Sequence, residues 1–493
     1  MISLVKNELT KIIKKKSIFI ILLISILFMC FNNVIYKQID NLFTVESEYS
    51  EENIKQIKEN LKNFVPVTSD DYEEYSELQS TVDTYELLSK YDKNDWKYHV
   101  LLKDVFPYIS EYNRHKLIYH DEGMYQEKYK EYTDFVNFID NTNDWKDYAR
   151  YEIAEQEKEK VKYNELLKTS ESKEETLSYN NAIKIADGKI TKLKLRIENN
   201  IPYSDDYLNT ALEVYDPNVK SYEEFSSEMK ENQKSKYNEY ETKKEYYQLV
   251  TSNAKQKYIF ENKKDIESSV TLANSLTNYV GDYGIFILIM SISVAGSIVS
   301  TEFDKGTIKN LLIRPYKRWK ILLSKYIAVM ITTLLSIITL LILELIIGGI
   351  ILGFDTLQNS IIVYSFTKNS ILQIDAIKYV IDSIISTLPM FILLATLGFT
   401  ISTIFNSTSL GIALPMLGYF GGNIINLIIE SYKIKILHYF VTPNWDLSKF
   451  LYGNIGNYLG SSVTKSLLIC FIYLIIMIIP AFIVFSKRNV KNI

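Results

Sequence analysis

The chain has 493 residues, of which 23% are charged and 47% hydrophobic, with a formal charge of −4 and a mean hydropathy of −0.03. So small a net charge leaves no electrostatic footprint for a nucleic-acid partner, and the two cysteines, Cys30 and Cys470, lie in apolar runs and give the polar region no disulfide framework. The near-zero hydropathy averages two extremes, a charged stretch from Tyr36 to Asn278 and apolar runs on either side, which is the composition of a membrane protein with a large water-facing domain.

The first sixteen residues, "MISLVKNELTKIIKKK", place Ile2, Val5, Leu9 and Ile12 at spacings of three, four and three. That period predicts an amphipathic helix over residues 1–16, lying in the inner membrane interface with Lys6, Lys11 and Lys14 turned toward anionic lipid. Ser17–Tyr36 follows as an apolar run of the length a bilayer demands, about 20 residues. The flanking "CFNNVIYKQ" has no small-x-small cleavage site, so residues 17–36 read as an uncleaved first transmembrane helix.

Residues 37–278 are rich in Lys, Glu and Tyr and poor in Gly and Pro, and they read as a mostly helical domain. Ile183, Ile190, Leu193 and Ile197 follow the seven-three-four spacing of a packed helix pair. Pro202 disfavours helix at Ile201, and Asp205 is placed to cap the next one. From about Ser221 a long polar helix is expected to run to the second span. The tetrapeptide "NDWK" occurs at Asn94–Lys97 and again at Asn143–Lys146, each time with an Asp placed to cap a helix and a Trp to anchor it.

Five more spans are expected in residues 279–493: Gly284–Thr301, Tyr326–Phe354, Tyr379–Phe405, Leu410–Ile429 and Ser466–Phe485. Pro389, Pro415 and Pro480 fall inside spans, where neighbouring helices satisfy the freed backbone. Glu344 is an acid deep in a span and a candidate for a transport pathway or an interhelical hydrogen bond. Gly348–Gly349 and Gly421–Gly422 permit close helix approach. With the N-terminus inside, the cytoplasmic segments carry about +12 and the rest of the chain about −16. Both termini are therefore expected in the cytoplasm of a multi-pass cell-membrane protein, with the domain 37–278 extracellular. The fold class is all-α: six transmembrane helices, an interfacial helix and a large helical outer domain.

Catalytic chemistry leaves no trace. The four histidines, His99, His115, His120 and His438, form no metal-ligand pattern, and there is no GxSxG elbow. "ADGKIT" has a Gly-Lys but lacks the earlier glycine of a phosphate loop, so the chain is not expected to bind ATP in the Walker manner or to be an enzyme. An energy source would have to come from a partner.

Between the second and third spans lies "STEFDKGTIKNLLIRPYKRWKILLSKY". Glu302 to Ile313 reads as a short helix with Phe303, Ile308, Leu311 and Leu312 as its apolar stripe and Pro315 as its stop, while Lys317, Arg318 and Lys320 hold the membrane surface. Glu302, Gly306-Thr307, Leu311-Leu312, Arg314-Pro315, Arg318 and Lys325 resemble the corresponding run of ABC-2 family permeases of ABC transporters. The plan of interfacial helix, six spans and short outer helices at His438–Asn454 is similar as well, and the likeness covers both ends of the chain but not residues 37–278.

The resemblance implies that the loop 302–325 is a coupling helix docking on a separate ATPase. Two ATPase copies would bind ATP and Mg, and a second permease, identical or not, would complete the transporter, with no cofactor on this chain. The implied docking residues are Glu302, Phe303, Asp304, Gly306, Thr307, Ile308, Leu311, Leu312, Arg314 and Pro315, with Gly306 allowing close approach and Glu302 pairing with a nearby base. The implied function is the transmembrane subunit of an exporter of a hydrophobic or amphipathic substrate such as an antimicrobial peptide, drug or lipid. The alternatives are a membrane-anchored receptor or scaffold without transport, and an ion-driven carrier using Glu344.

Overall fold

The computed structural model describes residues 1–42, 49–170, 172–233, 237–266, 271–308, 316–432, 435–454 and 462–488. They form two compact units, one of residues 1–41, 222–248 and 269–493, the other of residues 42–221 and 249–268.

The first unit is the membrane unit. Among the described residues six helices are long and apolar enough to cross a bilayer: Lys16–Gln38, Tyr279–Asp304, Arg318–Leu352, Ala376–Phe405, Thr408–Asn426 and Val463–Lys487. The apolar windows of the second and fourth spans are 67% buried, against 17–33% for the others, so these two form the centre. Tyr283, Ile287 and Leu288 of the second span pack there with Leu340 of the third and Phe391 and Leu394 of the fourth. The outward faces stay apolar, as at Leu23 and Leu27 of the first span and Leu417 and Ile424 of the fifth. Lipid tails are as apolar as leucine, so such faces suit a bilayer.

Three glycines set the closest approach. A Cβ on Gly296 of the second span would lie 2.7 Å from the Gly411 carbonyl carbon of the fifth. A Cβ on Gly398 of the fourth would lie 2.8 Å from the Gly411 carbonyl oxygen. Three helices thus meet almost backbone to backbone, which only small residues allow. Of the glycine pairs noted in the sequence, Gly422 receives the Trp445 ring, 2.9 Å from where its Cβ would be, while Gly421 faces open space.

One element departs from an all-α plan. Between the third and fourth spans Ser360–Ser365 pairs antiparallel with Ser370–Asp375, setting Ile361 opposite Ile374 and Val363 opposite Leu372. The β-branched run "SIIVYS" favours a pleated, half-buried surface over another helical turn. Asp375 ends the hairpin and caps the fourth span, accepting from the Lys378 amide. The segment His438–Asn454 forms 3-10 turns, Lys435–Tyr439 and Ser448–Gly453, around a buried Trp445.

Among its described residues every regular element of the second unit is a helix. Asp95 and Asp144 cap the helices Trp96–Asp104 and Trp145–Thr169, accepting from the Lys97 and Lys146 amides, so both "NDWK" copies do the same local work. Trp96 and Trp145 pack on one core with Val100, Leu101, Ile109, Ile139 and Tyr148. The helix Lys173–Glu198 lies along Trp145–Thr169, with Ile190 buried and Leu193 and Ile197 against that core. Two expectations are corrected. The cap after Pro202 is Asp206, which accepts from the Asn209 amide, and not Asp205. The long helix expected from Ser221 is instead three, Tyr222–Gln233, Glu239–Asn262 and Leu272–Thr277, the last capped by Thr271.

Candidate functional site

The N-terminal helix Ile2–Ile13 packs on the start of the third span. Its buried face is Leu4, Glu8 and Ile12, with Val5 and Leu9 partly buried, whereas Ile2 is 86% exposed. The face expected from the apolar period is therefore rotated to take in an acid.

That acid meets a buried cation. Lys325 of the third span is fully buried, and its ammonium donates to Glu8 Oε2 at 2.9 Å, to the Ile298 carbonyl at 3.2 Å and to Glu302 Oε1 at 3.4 Å. Three acceptors are what an ammonium needs. Lys11 donates to Glu302 Oε1 at 2.7 Å and lies 3.5 Å from Glu8 Oε1. Two acids and two lysines thus form a charge-balanced cluster joining the N-terminal helix, the end of the second span and the start of the third.

The electrostatics follow from this packing. Burial alone would lower the Lys11 ammonium, but its hydrogen bond to Glu302 and the charges of Glu8 and Glu302 prevail and raise it above the ordinary lysine range. Lys15 donates to Ser297 Oγ at 2.6 Å. It has no such carboxylate contact, and burial, then the charge of Lys325, push it down to about 8.

Beyond Glu302 the chain turns away. The helical turn Ser300–Asp304 ends at Asp304, and Gly306 takes φ +65. The Thr307 hydroxyl donates back to Glu302 Oε2, and Ile308 is buried. Within the described residues, the continuous helix expected over Glu302–Ile313 is broken after Asp304 by a left-handed reversal at Gly306; the rest of that expectation, residues 309–313, lies outside the described residues. Gly306 adopts a backbone conformation that glycine favours, and among the described residues nothing lies within 4 Å of where its Cβ would be. Glu302, Phe303 and Ile308 point into the membrane unit, and Asp304, Lys305, Gly306 and Thr307 are exposed. Leu311, Leu312, Arg314 and Pro315 lie outside the described residues.

The third span's helix begins at Arg318, with Lys317 as its N-cap, so Arg318, Lys320 and Lys325 are helical and not part of a loop reaching to 325. Lys6, Lys317 and Lys320 are exposed, and the Lys320 ammonium stands 5.6 Å from the Trp319 ring. Arg318 donates to the Ser486 and Arg488 carbonyls at 3.2 and 2.7 Å. Arg488 in turn donates to the Thr403 carbonyl at 3.0 Å and covers the Phe303 ring at 5.2 Å. A cation over the last carbonyls of the fourth span satisfies groups its helix leaves free.

At the opposite, hairpin end of this unit the second, fourth and fifth spans and residues 445–454 enclose a cavity of about 480 Å³. Tyr379, Tyr419, Trp445, Asn423 and Lys449 are among its walls. Tyr379 stacks on Tyr452 at 5.6 Å, and the Tyr452 hydroxyl donates to Asp382 at 2.7 Å. Glu344 lies apart from this cavity's lining and from the Glu8–Lys325 cluster, fully buried near the hairpin end of the third span.

Sequence reasoning missed Glu8 and the Gly296–Gly398–Gly411 meeting. The signal for Glu8 was present: it is the one acid among the first sixteen residues, four residues from both Leu4 and Ile12 and so on their face.

Residues 247–491 match a family described as a protein of unknown function, DUF2705. The uncharacterized protein YhcI of Bacillus subtilis (strain 168) is 30% identical over 220 residues, 44% of this chain and 69% of its own. The uncharacterized membrane protein YdbK of the same organism is 25% identical over 214 residues, 43% of this chain and 82% of its own. No solved structure matches. With the last five spans inside the matched region and YhcI aligned over more than two thirds of its length, the chain is a multi-pass membrane protein that belongs to the family of YhcI and is similar to DUF2705 over residues 247–491.

Proposed function

We propose that this chain is the membrane-spanning permease subunit of an ATP-driven exporter of the ABC-2 type. The observation that carries the reading is the buried Glu8–Lys325–Glu302–Lys11 cluster behind the exposed turn Asp304–Thr307. A partner pressing on that turn would move Glu302. Through its ion pairs with Lys325 and Lys11, Glu302 would move the third span and the N-terminal helix together. The ABC-2-like residues at Glu302, Gly306-Thr307 and Lys325 support the same assignment.

On this reading both termini and the turn face the cytoplasm, the second unit faces outward, and two ATPase copies with ATP and Mg dock at the turns of two permeases. A hydrophobic or amphipathic substrate suits the aromatic and amide walls of the cavity at the hairpin end. The test is affinity purification of the tagged chain from its native membrane. The reading expects a nucleotide-binding ATPase to co-purify, and expects Gly306→Trp combined with Glu302→Ala to abolish both that association and ATP-dependent transport. A chain that purifies without an ATPase, or a double variant that keeps both properties, would overturn it.

A further inference from the structure

Glu344 is the only acid of the helix Arg318–Leu352, and it is fully buried. Asn33 of the first span, 1% exposed, turns its amide to both carboxyl oxygens at 3.1 and 3.2 Å and also to the Met29 carbonyl at 3.0 Å. Ser275 donates to Glu344 Oε1 at 2.9 Å. Among the described residues no cation makes an ion pair with it. Lys37, further along the first span, is committed to the Ile351 carbonyl at 2.8 Å. The second span brings Tyr279, Tyr283 and a second acid, Asp282, while the helix Leu272–Thr277 brings the neutral Ser275. Asp382 of the fourth span is occupied by Tyr452. An ionised carboxylate sealed in this way has neutral donors but no countercharge, an arrangement that buried charges rarely sustain.

A second observation points to what completes the site. Asn33 Oδ1 is buried with no hydrogen-bond partner. It and Glu344 Oε1 stand beside the same bare backbone position under the Leu272 side chain: a Cβ on Gly348 would lie 2.8 Å from Leu272 Cδ1, 3.2 Å from the carboxyl oxygen and 3.4 Å from the amide oxygen. The orphaned acceptor lacks a donor, and the carboxylate lacks a positive charge. One proton supplies both. A small metal cation fits less well, because the groups already facing the carboxylate are the Asn33 NH₂ and the Ser275 and Tyr283 hydroxyls, which serve it as donors, where a cation needs several oxygens as ligands.

We propose that Glu344 is a proton-binding site whose acid form donates to Asn33 Oδ1 beside Gly348, exchanging with solvent at the hairpin end of the membrane unit. In the exchange a hydronium O–H bond breaks as the carboxyl O–H forms, leaving water, and the reverse step returns the proton to water. The inference stands whether or not an ATPase drives the chain.

The experiment is infrared difference spectroscopy of the full chain in lipid vesicles, titrated between about pH 5 and about pH 9. A protonated-carboxyl C=O band that appears within this range, shifts in deuterium oxide, vanishes in Glu344→Gln and moves in Asn33→Leu is the expected result. Glu344→Gln keeps the side-chain shape. Glu344→Asp guards against a folding defect, since it should retain a displaced, titrating band. A band unchanged by Glu344→Gln, a band that never exchanges with deuterium, or a response to sodium at fixed pH in place of the response to protons would each overturn the proposal.

Discussion

Replacing Lys325 by Met removes a fully buried cation and leaves Glu8 and Glu302 facing each other with only the half-exposed Lys11 between them. At an effective dielectric constant of about 20, a charge pair near 3–4 Å attracts by roughly 4–5 kcal/mol. Lys325 has two such partners, at 2.9 and 3.4 Å. The cost of desolvating the ammonium, several kcal/mol, opposes most of this. Breaking a buried pair from one side nonetheless costs about 3–5 kcal/mol, because the remaining charge is left uncompensated. The opening equilibrium of the N-terminal helix should therefore rise by two to three orders of magnitude, at about 1.4 kcal/mol per tenfold. Limited proteolysis at the first fifteen residues of the full chain in detergent reads that opening directly. A cycle with Glu8→Gln supplies the check: the double variant should lose much less than the two single losses combined. A Lys325→Met loss below about 1 kcal/mol, or simple additivity in the cycle, would refute the account of a mutually compensating cluster.

Lys15 should acylate with a pH midpoint near 8, well below the roughly 10.4 of a free lysine. Its folded-state value is the lower one, so between those two pH values the unfolded chain binds more protons and stability should rise with pH, a slope that Lys15→Gln removes in thermal melts. Gly411→Leu places a side chain where Gly296 Cα is 2.9 Å from the Cβ position, and overpacking of about 1–3 kcal/mol or more should lower the melting midpoint, whereas Gly421→Ala, into open space, should not. Gly306→Val puts a branched residue at φ +65 at a cost of about 1–2 kcal/mol, with Gly306→Asn nearer neutral, and equal melts for the two would count against strain at the turn.

The spans were legible because a bilayer sets a length and demands apolar runs, and all six fall where those runs lie. Local chemistry was legible too, as with Asp95 and Asp144, whose caps need only the next two residues. What escaped was complementarity at long range. Glu8 and Lys325 are separated by 317 residues, and nothing in either neighbourhood names the other. Gly296, Gly398 and Gly411 show their purpose only once three helices cross. The break at Gly306 was missed for a different reason: the apolar spacing around it satisfies a helix, and the left-handed glycine overrides that period. The hairpin was hidden because its two six-residue strands fall in the connection between two spans, where a search for bilayer-length apolar runs assigns nothing.

The balanced cluster under the N-terminal helix also decides how that helix responds to its surroundings. Mobile ions screen exposed charges over about 8 Å at physiological ionic strength, and they act far less on groups withdrawn from water. Any contact that Lys6 and Lys14, out in solvent, make with anionic lipid should weaken as salt rises, while Glu8 and Lys325 keep their ion pair. The helix is therefore fastened to the third span more than to the headgroups beside it. Washing membranes with concentrated salt, which strips helices held by surface charge alone, should leave this one seated.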